Sequence, residues 1–70
     1  MREVAVTREP VELYKILKFE GLVSSGGAAK AAVASGQVLV NGEIETRKRK
    51  KIVSGDIIEF GGETIRIRLA

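Results

Sequence analysis

The chain contains no cysteine and no histidine. That removes disulfide staples, thiol nucleophiles, the usual zinc-ligand sets and the side chain most often used for acid–base work near neutral pH. Most enzyme classes lose their commonest tools at once. Nine Asp and Glu remain, but they are scattered singly along expected strands and helix ends, so no carboxylate pair stands out as an acid–base candidate. No catalytic residue, no metal site and no cofactor is expected. Long apolar runs are missing too. Nothing approaches the roughly 18 apolar residues of a membrane span, and Met1-Arg2-Glu3 leads into a short alternating segment, unlike the apolar core of a signal peptide. A cytoplasmic protein without a membrane partner is the expectation. Aromatic residues are limited to Tyr14, Phe19 and Phe60. These are too few for a platform that stacks unpaired bases, and they are expected to be core or half-buried packing residues.

What the chain does have is charge, unevenly placed. Arg47, Lys48, Arg49, Lys50 and Lys51 hold five of the 12 basic residues, and the rest of the chain carries seven basic against nine acidic residues. A mildly acidic body therefore bears one concentrated positive run. Five adjacent cations repel one another unless an anion or solvent neutralises them, and no acid is interleaved among them. A nucleic acid is the favoured partner, ahead of a solvated loop or an anionic membrane surface. The membrane reading lacks an amphipathic helix or apolar anchor. With few aromatics for stacking, structured RNA read through its phosphates fits better than unpaired bases.

Seventy residues allow a single domain, spanning 1–70, which hides only about 60% of the surface its unfolded form exposes. Arg2 to Thr7 begins with polar–apolar alternation and suits a short strand. Pro10 fits a first helical turn, so a first helix is expected from about Pro10 to Phe19, with Leu13, Ile16 and Leu17 inward and Lys15 and Lys18 outward. Gly21 ends it. Ser24 and Ser25 offer an N-cap hydroxyl to an alanine-rich second helix that runs to Gly36, in which Lys30 is the one charged residue. Gln37 to Glu45 reads as a hairpin around Asn41-Gly42, whose residues suit left-handed turn positions. Beyond the basic run, Ile57 to Phe60 and Thr64 to Leu69 read as strands joined by Gly61-Gly62-Glu63, with Ile65, Ile67 and Leu69 facing the core. The pairs Gly26-Gly27 and Gly61-Gly62 match no phosphate-binding loop and read as a helix start and a turn.

In this order Ser25-Gly26-Gly27-Ala28-Ala29-Lys30, Val33, Gly36-Gln37-Val38-Leu39-Val40-Asn41-Gly42 and Ile52 with Gly55-Asp56-Ile57-Ile58 resemble the RNA-binding domain first described in small-subunit ribosomal protein S-four. The resemblance covers roughly residues 11 to 60 and is strongest to the short stand-alone bacterial members. It implies an α-L motif of two packed helices followed by a small β-structure, with RNA lying along the second helix and the next hairpin. That carries an RNA-binding role onto Lys30, Gln37 and Asn41. Many members have a basic residue directly after the helix-capping Ser or Thr, where this chain has Gly26. The run Arg47 to Lys51 is expected to supply the missing charge.

The combined reading is an α+β domain in which two packed helices lie against a small, mainly antiparallel sheet. Its expected function is non-catalytic recognition of structured RNA, ribosomal or transfer RNA, in the setting of ribosomal particles. The contact residues would be Lys30, Gln37, Asn41 and Arg47, Lys48, Arg49, Lys50 and Lys51, extended by Lys15 and Lys18, with Arg47 and Arg49 forking onto phosphates. The alternative is a protein-interaction module in ribonucleoprotein assembly, whose basic run meets an acidic partner. Nothing in the sequence speaks to oligomeric state.

Overall fold

The computed structural model describes all residues, 1–70. Its elements follow in the order β1 (Arg2–Val6), β2 (Val11–Glu12), α1 (Leu13–Phe19), α2 (Gly26–Ala34), β3 (Leu39–Val40), β4 (Glu43–Ile44), β5 (Lys51–Ile52), β6 (Ile57–Phe60) and β7 (Glu63–Leu69). Five strands form one sheet in the order β1-β7-β6-β3-β4, in which β1 and β7 are parallel and every other pair is antiparallel. The expected α+β architecture is thus present, with one addition: the first and last strands of the chain lie side by side, Val4 opposite Ile67. No helix is long and apolar enough to cross a membrane.

The second helix follows its sequence closely. Ser25 accepts the Ala28 N–H through its hydroxyl at 3.1 Å, satisfying one of the donors a helix start leaves unpaired. Both helices stop in the same way. Gly21 and Gly36 take positive φ of 72° and 79°, and the paired bonds Leu22 N–H to Leu17 O and Gln37 N–H to Ala32 O close Schellman turns over the last carbonyls. The Asn41-Gly42 turn has φ of 53° and 84°, the two left-handed positions that a tight hairpin with native strand twist requires.

The first helix begins later than its sequence suggests, at Leu13 instead of Pro10. Val11 and Glu12 are drawn into a two-residue ladder with β5, Val11 opposite Ile52 and Glu12 opposite Lys51. Local signals favoured helix there, and a partner 40 residues away in sequence overrides them. Inside, Leu13, Ile16 and Leu17 of α1 meet Ala29, Ala32 and Val33 of α2 and the inward residues Val4, Val38, Val40, Ile52, Ile58, Ile65 and Ile67 in one wholly apolar core. The alanines let the helix backbones approach closely. Two expected core residues lie elsewhere. Leu69 is 43% exposed at the end of its strand, and Phe19 is 69% exposed, because it sits off the Leu13, Ile16 and Leu17 stripe that α1 buries.

Candidate nucleic-acid interface

Five adjacent cations on a free loop would be disordered and mutually repelled, yet here the loop is anchored by its backbone. Helix α1 has no side-chain cap on Glu12. In its place Leu13 N–H donates to Lys50 O at 2.9 Å and Tyr14 N–H to Lys48 O at 3.1 Å. The carbonyls of the basic loop therefore cap the helix, and the side chains of the same residues are left to point outward. A tight turn closed by Lys50 N–H to Arg47 O at 3.1 Å puts Lys48 and Arg49 at its tip.

The loop docks on α1. Tyr14, whose backbone it caps, is half-buried and lies under Lys30 of α2, with Nζ 4.9 Å from the ring centroid. That contact holds an ammonium group over an aromatic face at the junction of loop and helices. Lys18 follows four residues after Tyr14, on the same side of α1. A methyl group built on Gly26 would lie 3.9 Å from Lys18 Cδ, so the Lys18 side chain runs past the start of α2. The side chain of Lys18 therefore comes near the place after Ser25 where a cation is missing. Lys30 thus lies over the residue whose backbone the loop caps, Lys50 borders a shallow hollow with Glu45 and Arg47, and none of Lys18, Lys30, Lys48, Arg49 and Lys50 takes part in an ion pair.

Other expected contact residues have partners inside the protein. Arg47 is not without an acidic neighbour. Its Nε and Nη2 bond both carboxylate oxygens of Glu45, at 2.9 and 3.1 Å, and its backbone N–H adds a third bond to the same group. The Arg47 side-chain hydrogen bonds hold Glu45 down at about 2, against an ordinary 4.5. Asn41 is committed as well: its Nδ2 donates to Asp56 Oδ1 at 3.0 Å and its Oδ1 accepts Ile57 N–H at 2.9 Å. Asp56 in turn accepts Val53 N–H. The two halves of the sequence motif, the Asn-Gly turn and the Gly-Asp turn, are hydrogen-bonded to each other. Gln37 is exposed, with its amide nitrogen bonded to Ser35 Oγ at 2.7 Å. Lys15 pairs with Glu12 at 3.2 Å, and both Lys15 and Lys51 border a groove along β1.

Two residues have roles that the sequence analysis does not assign. Tyr14, expected only to pack, lies four residues before Lys18 on the same helical stripe. Glu45, expected only as a strand residue, is the second. It lies two positions from Arg47, and that spacing puts both side chains on one side of an extended backbone.

A model of the S4 domain matches residues 4–68. The chain is 51% identical over 57 residues to YbcJ of Escherichia coli (strain K12), a protein to which RNA binding is attributed, with 81% of each chain covered. It is 34% identical over 59 residues to RlbA of Bacillus subtilis (strain 168), to which ribosome maturation is attributed, covering 84% of this chain and 83% of that one. The solution structure of Escherichia coli YbcJ, described as revealing an alpha-L motif involved in RNA binding, superposes with a TM-score of 0.74 at 45% identity, covering 97% of this chain and 87% of that one.

Proposed function

Because the chain belongs to the S4 domain family, we propose that it is a non-catalytic RNA-binding protein, one domain over residues 1–70, that engages structured ribosomal or transfer RNA in the cytoplasm. Ribosomal particles in maturation are the setting, in keeping with the activity attributed to the Bacillus relative. The observation that carries this reading is the anchored loop. The carbonyls of Lys48 and Lys50 cap α1, so the loop's backbone is fixed against Tyr14, over which Lys30 lies, before any RNA arrives. A pre-ordered cationic face loses little conformational entropy on binding, and it fits a fixed array of phosphates better than a flexible tail would.

The residues then have distinct roles. Lys48, Lys50, Lys30 and Lys18 supply point charges to phosphates, and Arg49 at the loop tip supplies a planar fork. Gln37 keeps its amide oxygen for a sugar hydroxyl or base edge at the end of α2. Arg47 and Asn41 brace the surface from behind, and Lys15 and Lys51 flank it on the β1 side.

The test is a salt series of binding to ribosomal RNA, transfer RNA and a matched DNA duplex, with a Lys48→Ala, Arg49→Ala, Lys50→Ala triple variant beside the parent. The parent should show a log–log salt slope of roughly −3 to −5 on RNA, and the variant should lose about two to three of that slope. Unchanged RNA binding by the variant, or a slope near zero in the parent, would overturn the proposal.

A further inference from the structure

The far side of α1 carries a second surface with different chemistry. Strand β1 is the outermost strand of its sheet, and its single partner is β7. Val6 O accepts the Ala70 N–H at 2.8 Å on that side, so strand alternation turns the backbone groups of Glu3 and Ala5 toward the open edge. No hydrogen bond within the chain reaches those groups. Beside the open edge runs a groove of about 760 Å³. Its apolar lining comes from Val4 and Val6 of β1 and from Val11, Ile16 and Phe19 across from them.

Phe19 is 69% exposed in this groove, the only one of the three aromatic residues to lie open to solvent. The groove also carries an excess of positive charge. Two carboxylates line it, Glu12 and Glu20, and both are already paired, with Lys15 and Arg2. Arg8 and Lys51 line it too and stand in no ion pair. An unpaired row of backbone donors and acceptors, an apolar trough with an exposed phenyl ring and uncompensated cations thus occur in one place. RNA can use the cations but has no backbone that matches a strand edge. An extended polypeptide can use all three.

We propose that this groove docks an extended segment of a partner protein, which adds to β1 as a further strand. Its apolar side chains lie against Phe19, Val11 and Val6, and its carboxylates meet Arg8 and Lys51. Phe19 lies about 100° round α1 from Lys18. A protein partner and an RNA can therefore be held at the same time on different sides of one helix.

The experiment is an NMR titration of the isotope-labelled full chain with an acetylated, amidated heptapeptide alternating valine and glutamate. Three controls go with it: the same peptide with lysine for glutamate, the same peptide with methylated backbone nitrogens, and the Phe19→Ser protein. The glutamate peptide should shift the Glu3, Ala5 and Phe19 signals and slow amide exchange at Glu3 and Ala5. The lysine peptide should bind more weakly, and the methylated peptide should leave β1 unperturbed. Phe19→Ser should weaken binding on the order of tenfold by removing the exposed ring, with RNA affinity and melting temperature unchanged. The proposal is overturned if β1 stays unperturbed at millimolar peptide, if the shifts fall on Lys48 to Lys50 instead, or if Phe19→Ser binds as well as the parent. A rise in mass with protein concentration that Phe19→Ser abolishes would overturn it as well, since the groove would then belong to a second copy.

Discussion

Replacing Asn41 by glycine separates two roles that one residue could have. Glycine accepts the φ of 53° at this position without strain, so the change removes the side chain and little else. What goes is the Nδ2 bond to Asp56 at 3.0 Å and the Oδ1 bond from Ile57 N–H at 2.9 Å. The neutral bond from Ile57 N–H contributes about 1 kcal/mol net, the bond to the charged Asp56 carboxylate about the same because water competes at this exposed site, and the extra freedom of glycine in the unfolded chain adds about 0.5 kcal/mol. The expected loss is about 1.5–2.5 kcal/mol. For a domain of this size that lowers the melting temperature by roughly 8–15 °C. Thermal and urea unfolding followed by circular dichroism give the stability. RNA affinity measured well below the melting transition gives the functional part, which should stay within about twofold of the parent if the side chain serves only to hold the two turns together. Asp56→Ala should lose a similar amount, and the double variant should fall short of the sum, since the two residues share a bond. A variant that keeps parental stability but binds RNA tenfold more weakly would refute the bracing role and make Asn41 a contact residue.

Further outcomes follow from the same structure. Glu45 titrates near 2 while Arg47 holds it. Its folded value lies below its unfolded one, so the pair stabilises the fold above pH 4.5 and the contribution fades as pH falls toward 2. In Arg47→Ala, carboxyl-detected NMR should find Glu45 back in the ordinary carboxylate range, and the stability gap between parent and variant should close over that same window; a Glu45 midpoint that stays near 2 in the variant would refute the assignment. Gly21→Ala should cost about 1–2 kcal/mol from backbone strain alone, because φ is 72° and nothing lies within 4 Å of an added methyl. Gly27→Ala, inside α2 with its nearest neighbour at 3.9 Å, should stabilise by up to about 1 kcal/mol, and equal effects at the two sites by urea unfolding would contradict the helix ends described above.

Short-range physics was legible in the residues themselves. Ser25 before an alanine run, glycines after Phe19 and Ala34, the Asn41-Gly42 pair and the alternation of Ile65 and Ile67 each act within a few bonds, and each predicted its element. The inward set of α1 was equally readable, since helical spacing alone puts Leu13, Ile16 and Leu17 on one stripe. So was the local density of charge at Arg47 to Lys51.

The tertiary structure decided everything that depends on distant partners. Helix α1 lost its first turn to a ladder with β5, and Phe19 stayed in solvent because the core takes the Leu13, Ile16 and Leu17 stripe. Asn41 and Asp56 acquired each other. The basic loop gained its order from the unpaired N–H groups of Leu13 and Tyr14, more than 30 residues earlier in the chain. The sequence by itself determined which residues are cationic and which elements can form. Which cations stand together, which are neutralised and which strand edge remains open were set by packing, because hydrogen bonds and ion pairs between distant residues depend on where the core places their backbones.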